Sequence, residues 1–333
     1  MSKFPLSWLA SIFFLLLPGM VVAEEKPGVT PLRLLREAEI LSSLDGQLQS
    51  IRYWIPEKPG LHPVLLSLHS WSGDYKQDHS DWLREAYDRE WVFLEPNFRG
   101  RNDNPAACGS ALARQDLVDA IDWAIERNWA DRERIYVAGV SGGGHMAMLL
   151  AAYHPQRISA VSAWVGISDL REWHTFHVKP DGPDNYALMT QASCGGAPGK
   201  SAEVDLEYYS RSPIHFLSHA ASVPIDLNAG ITDGKTGSVP IQHSLNAFNV
   251  IAKARNTPQI TAEEIQQLWE NGKLDSPQNG DTPDDPTYGR KIHLRRESGP
   301  SRVTLFEGGH EGLAHPACEW LAQQQRKTRI RGR

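Results

Sequence analysis

The pentapeptide Gly139-Val140-Ser141-Gly142-Gly143 constrains this chain more than any other stretch. Residues 134–138, Arg-Ile-Tyr-Val-Ala, form a short apolar run that reads as a buried strand. Residues 144–152, Gly-His-Met-Ala-Met-Leu-Leu-Ala-Ala, read as a helix. Gly-x-Ser-x-Gly between a strand and a helix is the pattern of a nucleophile elbow. The turn is sharp and strained at the serine, and side chains on its flanks would collide with the neighbouring strand or helix. It lifts the Ser141 hydroxyl above the sheet edge. It also leaves the Gly142 N–H free at a helix start, where a developing oxyanion is stabilised. An ordinary tight turn is the competing reading. The two part on whether the chain also supplies a base and an acid.

The chain has 333 residues, 41% of them hydrophobic, enough for one large domain or two small ones. Acidic residues outnumber basic ones, for a net charge of −6, which disfavours nucleic acid as a partner. The basic cluster at 326–333 reads as a solvated tail. Lys3, the apolar run 6–17 and Val21-Val22-Ala23 read as an export signal over 1–23, cut before Glu24. The expected location is therefore secreted or periplasmic, with no membrane span after signal removal. In an oxidising compartment three cysteines suggest one disulfide and one thiol. Cys108 and Cys194 both lie in Gly-rich loop sequence, whereas Cys318 lies in a helical pattern, so a Cys108–Cys194 bridge is the favoured pairing. No cysteine has metal-ligand spacing, and neither a metal nor an organic cofactor is expected.

Apolar β-rich runs alternate with helical patterns, which argues for a mostly parallel sheet with helices on both faces. The expected strands are 49–55, 64–69, 91–95, 134–138, 160–165, 224–229 and 302–306. The expected helices are 80–88, 111–127, 143–153, 242–254, 261–271 and 316–325, the fifth opened by a Thr261/Glu264 capping box. The resulting organisation is an extension over 24–45 and one catalytic domain over 46–325. Two stretches interrupt the alternation. Residues 171–211 follow a strand end and could form a cap, and 256–300 are rich in Pro, Asp and Gly.

A serine nucleophile on such an elbow takes its acid and then its base from later strand ends. Asp233, in Gly230-Ile231-Thr232-Asp233-Gly234, follows the strand 224–229 and is the expected acid. Asp169 is the main rival, and Asp226 lies within a strand. Of thirteen histidines, His310 stands in Glu307-Gly308-Gly309-His310-Glu311-Gly312, directly after the last strand. An imidazole there can take the Ser141 proton and return it to the leaving group. His145 and His315 are in helical contexts. The second oxyanion donor should come from the turn after strand 64–69. There His69-Ser70-Trp71-Ser72 points to the Trp71 N–H.

Together these segments resemble the α/β-hydrolase superfamily, and within it the catalytic domain of the prolyl oligopeptidase family of serine peptidases. Asn97-Phe98-Arg99-Gly100, Gln115-Asp116-Leu117-Val118-Asp119-Ala120, Ser168-Asp169-Leu170, Arg211-Ser212-Pro213 and Val239-Pro240 carry the resemblance beside the elbow, Asp233 and His310. It implies an α/β-hydrolase fold and a Ser-His-Asp mechanism through an acyl-enzyme. The family's larger members carry a β-propeller, and the reading here expects none. The family's usual His-Gly-Gly is replaced by His69-Ser70-Trp71, which suggests a more walled pocket. Peptides, small esters and acylated carbohydrates remain open as substrates, because esterases of the superfamily share this shorter layout. A third reading is a non-catalytic carbohydrate binder that stacks sugars on Trp71, Trp164 and Trp173. Trp173 is also the expected substrate contact of the cap.

Overall fold

The computed structural model describes residues 31–326. The signal reading over 1–23 and all of the basic tail except Arg326 lie outside the described residues. The strands are β1 (Arg36–Leu41), β2 (Leu48–Trp54), β3 (His62–Leu68), β4 (Val92–Pro96), β5 (Ala130–Val140), β6 (Ala160–Trp164), β7 (Val178–Lys179), β8 (Gly182–Pro183), β9 (Ile225–Gly230), β10 (Ile292–Ser298) and β11 (Ser301–Phe306). The helices are α1 (Ser80–Asp88), α2 (Ala111–Glu126), α3 (Gly142–Tyr153), α4 (Leu170–Phe176), α5 (Asn185–Cys194), α6 (Ala202–Ser210), α7 (Gln242–Ala254), α8 (Ala262–Asn271) and α9 (Ala314–Leu321).

Nine strands form one sheet in the order β1-β2-β4-β3-β5-β6-β9-β11-β10, and β7 and β8 make a separate two-stranded ribbon. From β4 to β11 every pairing is parallel, while β1, β2 and β10 add antiparallel edges. The central strands read as mainly apolar runs because both faces are covered by helices, with Glu95, Ser162, Asp226 and Asn228 buried among them. In β4, β6 and β9 every residue is buried. Helix α3 is buried over its first eleven residues, so it is apolar all round rather than amphipathic.

All seven expected strands are present, as are all six expected helices. The domain begins earlier than expected. β1 lies inside the stretch read as an extension and pairs with β2 from Arg36↔Tyr53 to Leu41↔Leu48. Arg99 fastens this edge: its guanidinium meets both oxygens of Asp45, both of Asp116 on α2, and the Ser42 hydroxyl. Residues 256–300 are likewise no mere loop, since they contain α8 with its capping box and end in β10. The stretch 171–211 folds as α4, α5 and α6 between β6 and β9. Asp169, Asp184 and Ser201 each cap a helix through backbone N–H groups. These helices enclose a second apolar cluster, including Trp71, Leu170, Trp173, Met189, Val204 and Tyr208, apart from the main core.

Candidate active site

The chain leaves β5 at Val140 and enters α3 at Gly142, so Ser141 alone makes the turn. Its φ of 59° and ψ of −116° lie outside the regions a serine favours, at a cost of about 1–3 kcal/mol. Two backbone bonds hold the strained residue: its N–H donates to the Trp164 carbonyl (2.8 Å), and its carbonyl accepts from the His145 N–H (2.9 Å). The flanking glycines are sterically required. A Cβ on Gly139 would lie 2.4 Å from the Gly143 backbone, and one on Gly143 would lie 2.2 Å from the Leu68 carbonyl oxygen.

A Cβ on Gly142 would lie 2.4 Å from the Trp71 nitrogen. The turn after β3 therefore presses its backbone against the first residue of α3. Among the described residues, neither the Trp71 N–H nor the Gly142 N–H donates to a backbone carbonyl. The turn is pinned by His69, whose ring nitrogens lie 3.0 and 2.8 Å from the Ser70 and Asn97 carbonyls, the single N–H of the neutral ring donating to one of them, and whose ring stacks on Phe98. The Trp71 carbonyl accepts from the Asn102 N–H (3.0 Å). The Trp71 and Gly142 backbones thus approach closely next to the serine, with neither N–H spent on a backbone carbonyl.

Asp233 follows β9 directly and is fully buried. One carboxylate oxygen accepts from the Gly234 and Val239 N–H groups (2.9 and 3.2 Å). The other accepts from Nδ1 of His310 at 2.9 Å. Three hydrogen bonds therefore fix the carboxylate's orientation. His310 follows β11, which lies next to β9, so adjacent parallel strands deliver Asp233 and His310 to one sheet edge. The His310 side chain is 25% exposed, the one member of the group open to solvent to that degree. Gly237 closes over the pair: a Cβ there would lie 2.1 Å from Asp233 Oδ1 and 2.7 Å from His310 Cβ. An imidazole with Nδ1 bound to a carboxylate has Nε2 available as a base.

The rival residues are occupied elsewhere. Asp169 caps α4. Asp226 is buried in β9 against Ser162, Asn228 and Arg302. His145 is buried on α3, bonds the Arg211 carbonyl at 2.7 Å, and has its pKa drawn down to about 4 by loss of solvent. His315 faces Glu85 on the surface.

Three sequence expectations need correction. Trp173 is fully buried, and its indole N–H donates to the Ser238 carbonyl at 2.8 Å, so its ring belongs to the cap's interior rather than to a substrate surface. Trp71 and Trp164 are also buried, which removes the sugar-stacking platform that a carbohydrate binder would need. The three cysteines are all thiols. Cys108 and Cys194 nonetheless meet side by side in the second cluster. Burial disfavours a Cys108 thiolate, but donation from Cys194 and the nearby Arg211 guanidinium outweigh it and lower its pKa. Sequence reasoning missed Ser238 and Gly237. The only signal was their place between Asp233 and Val239-Pro240.

The family model described as the prolyl oligopeptidase family, Peptidase_S9, matches residues 80–264, more than half of the chain. The chain belongs to the prolyl oligopeptidase family. Its fold is that of the α/β-hydrolases. Its relatives include a feruloyl esterase B from Neurospora crassa, 28% identical over 34% of this chain and 43% of that protein. A prolyl oligopeptidase from Omphalotus olearius is 21% identical over 49% of this chain and 27% of that protein. The chain thus spans less than half the length of these two relatives. Among solved structures, the acylaminoacyl peptidase of Pyrococcus horikoshii superposes with a TM-score of 0.60 at 16% identity, covering 90% of this chain and 43% of that one. A puromycin-hydrolyzing peptidase from Mycobacterium tuberculosis gives 0.55 at 18%, covering 71% and 36%. At such identities these likenesses speak to the fold. Among the described residues no helix is long and apolar enough to cross a membrane.

Proposed function

We propose that Ser141, His310 and Asp233 form a catalytic triad and that this family member hydrolyses carboxylic acyl bonds through an acyl-enzyme. The 2.9 Å bond between Asp233 and His310, after the adjacent strands β9 and β11 of the sheet whose strand β5 ends in the strained Ser141 turn, carries the reading. His310 Nε2 takes the proton as Ser141 Oγ attacks the carbonyl carbon. The Gly142 and Trp71 N–H groups hold the oxyanion. His310 then protonates the leaving group, and water repeats the sequence to free the acid. No hydrogen bond joins Ser141 to His310 in the resting protein, and such contacts tighten when substrate binds.

Peptide and ester substrates share this chemistry. The ester reading is supported by a second observation: a feruloyl esterase B and an acetylxylan esterase A are both among the relatives. The N-terminal pattern Lys3, 6–17 and Val21-Val22-Ala23 supports export, with Glu24 as the mature first residue. A fluorophosphonate probe should label the protein and leave Ser141→Ala unlabelled; equal labelling of the variant would sink the triad. Parallel rates on short aryl esters and on prolyl or alanyl anilides then decide the bond. Dominant anilide turnover would reject the ester reading.

A further inference from the structure

The atom of His310 that must receive the Ser141 proton is already engaged. Nε2 lies 3.2 Å from the hydroxyl of Ser238. With Nδ1–H donating to Asp233, the neutral ring has a single lone pair, on Nε2, and the Ser238 hydroxyl donates into it. Ser141 needs that same lone pair. Ser238 is itself held in place. Its carbonyl accepts from the Trp173 indole N–H at 2.8 Å, and His177 Nε2 lies 2.9 Å away. Both residues belong to the inserted cap. His177 is tied in turn to Asp184, the N-cap of α5, at 2.7 Å, and Trp173 packs edge-on against Trp71 with ring centroids 4.4 Å apart. One residue therefore touches the base through its side chain and the cap through its main chain.

We propose that Ser238 is a positioning residue that parks the His310 ring away from Ser141 in the resting enzyme, its own place set by the cap through Trp173 and His177. This rests on the triad reading above. Proton transfer from Ser141 then requires exchange of one hydroxyl for another at Nε2. The net weight of one such hydrogen bond is a factor of about five in rate. Removing the competitor speeds acylation, whereas general damage to the loop slows it, so the direction of the effect separates positioning from mere structure.

The test is pre-steady-state acylation by an aryl acetate, run on wild type, Ser238→Ala and Ser238→Thr, with fluorophosphonate labelling of each. The expected result is an acylation rate constant about fivefold higher in Ser238→Ala. The half-saturating substrate concentration should stay unchanged, and Ser238→Thr, which keeps a hydroxyl, should behave as wild type. An unchanged or lower acylation rate in Ser238→Ala, in protein that still labels at Ser141, overturns the proposal alone. Wild type that does not label overturns the triad and the proposal with it.

Discussion

Gly237 offers a test that depends on space rather than on chemistry. Its substitution by alanine places a methyl carbon 2.1 Å from Asp233 Oδ1, where a carbon–oxygen contact needs about 3.3 Å. Something must therefore move by about 1 Å. The carboxylate cannot yield freely, because it accepts from Gly234, Val239 and His310 at once. Nor can the base, since the same methyl lies 2.7 Å from His310 Cβ. A displacement of about 1 Å between catalytic groups costs on the order of a hundredfold in rate, or about 2.7 kcal/mol of transition-state stabilisation. Gly237→Ala should therefore lower kcat/KM on an aryl ester about a hundredfold while the protein stays folded by circular dichroism. Gly309→Ala is the matched control. It adjoins His310 in sequence, but its added methyl meets nothing closer than 3.6 Å, and it should keep activity within about threefold. Gly237→Ala with more than a third of wild-type activity, or Gly309→Ala as damaged as Gly237→Ala, would refute the reasoning.

Two further outcomes follow from buried groups. His69, His145 and His243 each have a pKa pulled down to about 4 by burial, against 6.5 for a free ring. Between those values the unfolded chain binds more protons, so stability is fully present above pH 6.5 and is lost as pH falls towards 4. The loss is up to about 3 kcal/mol per ring; thermal melts from pH 7 to 4.5 should decline, and a flat melting temperature between pH 6.5 and 5 would contradict the assignment. Under oxidation Cys108 and Cys194 should join, since they already meet. Closing that loop would add up to about 4–5 kcal/mol. A non-reducing digest should show the Cys108–Cys194 peptide pair, and a cross-link to the buried Cys318 would count against it.

The sequence was legible where one physical rule dominated. Central strands such as β4 and β6 bury every residue, so they appear as apolar runs broken only by Glu95 and Ser162. β1, Arg-Glu-Ala-Glu-Ile-Leu, does not: it is an exposed edge with one buried residue, and its charges hid it. β10 is disguised in the same way by Arg295, Arg296 and Glu297. The cap helices are short, and their order comes from caps at Asp169, Asp184 and Ser201 and from a shared apolar cluster, none of which has a strong period. At the site, Ser141, Asp233 and His310 were each marked by a motif at a strand end. Ser238 was not, because its meaning lies in a three-dimensional coincidence between a loop and a distant insertion.

The insertion between β6 and β9 also bears on how such an enzyme can be changed. Because β6 and β9 pair directly, the chain between them is a detour whose length the sheet does not register. Replacing a detour of this kind would ordinarily be a modular operation, with specificity exchanged and chemistry left alone. Here the detour also supplies the indole and imidazole groups that meet the Ser238 carbonyl, on the loop that begins with Asp233. A transplanted cap would need to bring a donor to that carbonyl, or the donor-free loop would settle in its own way beside the base. Cap exchange in this scaffold is therefore a two-part graft, and libraries that vary 171–211 together with 234–238 sample combinations that varying either segment alone leaves out.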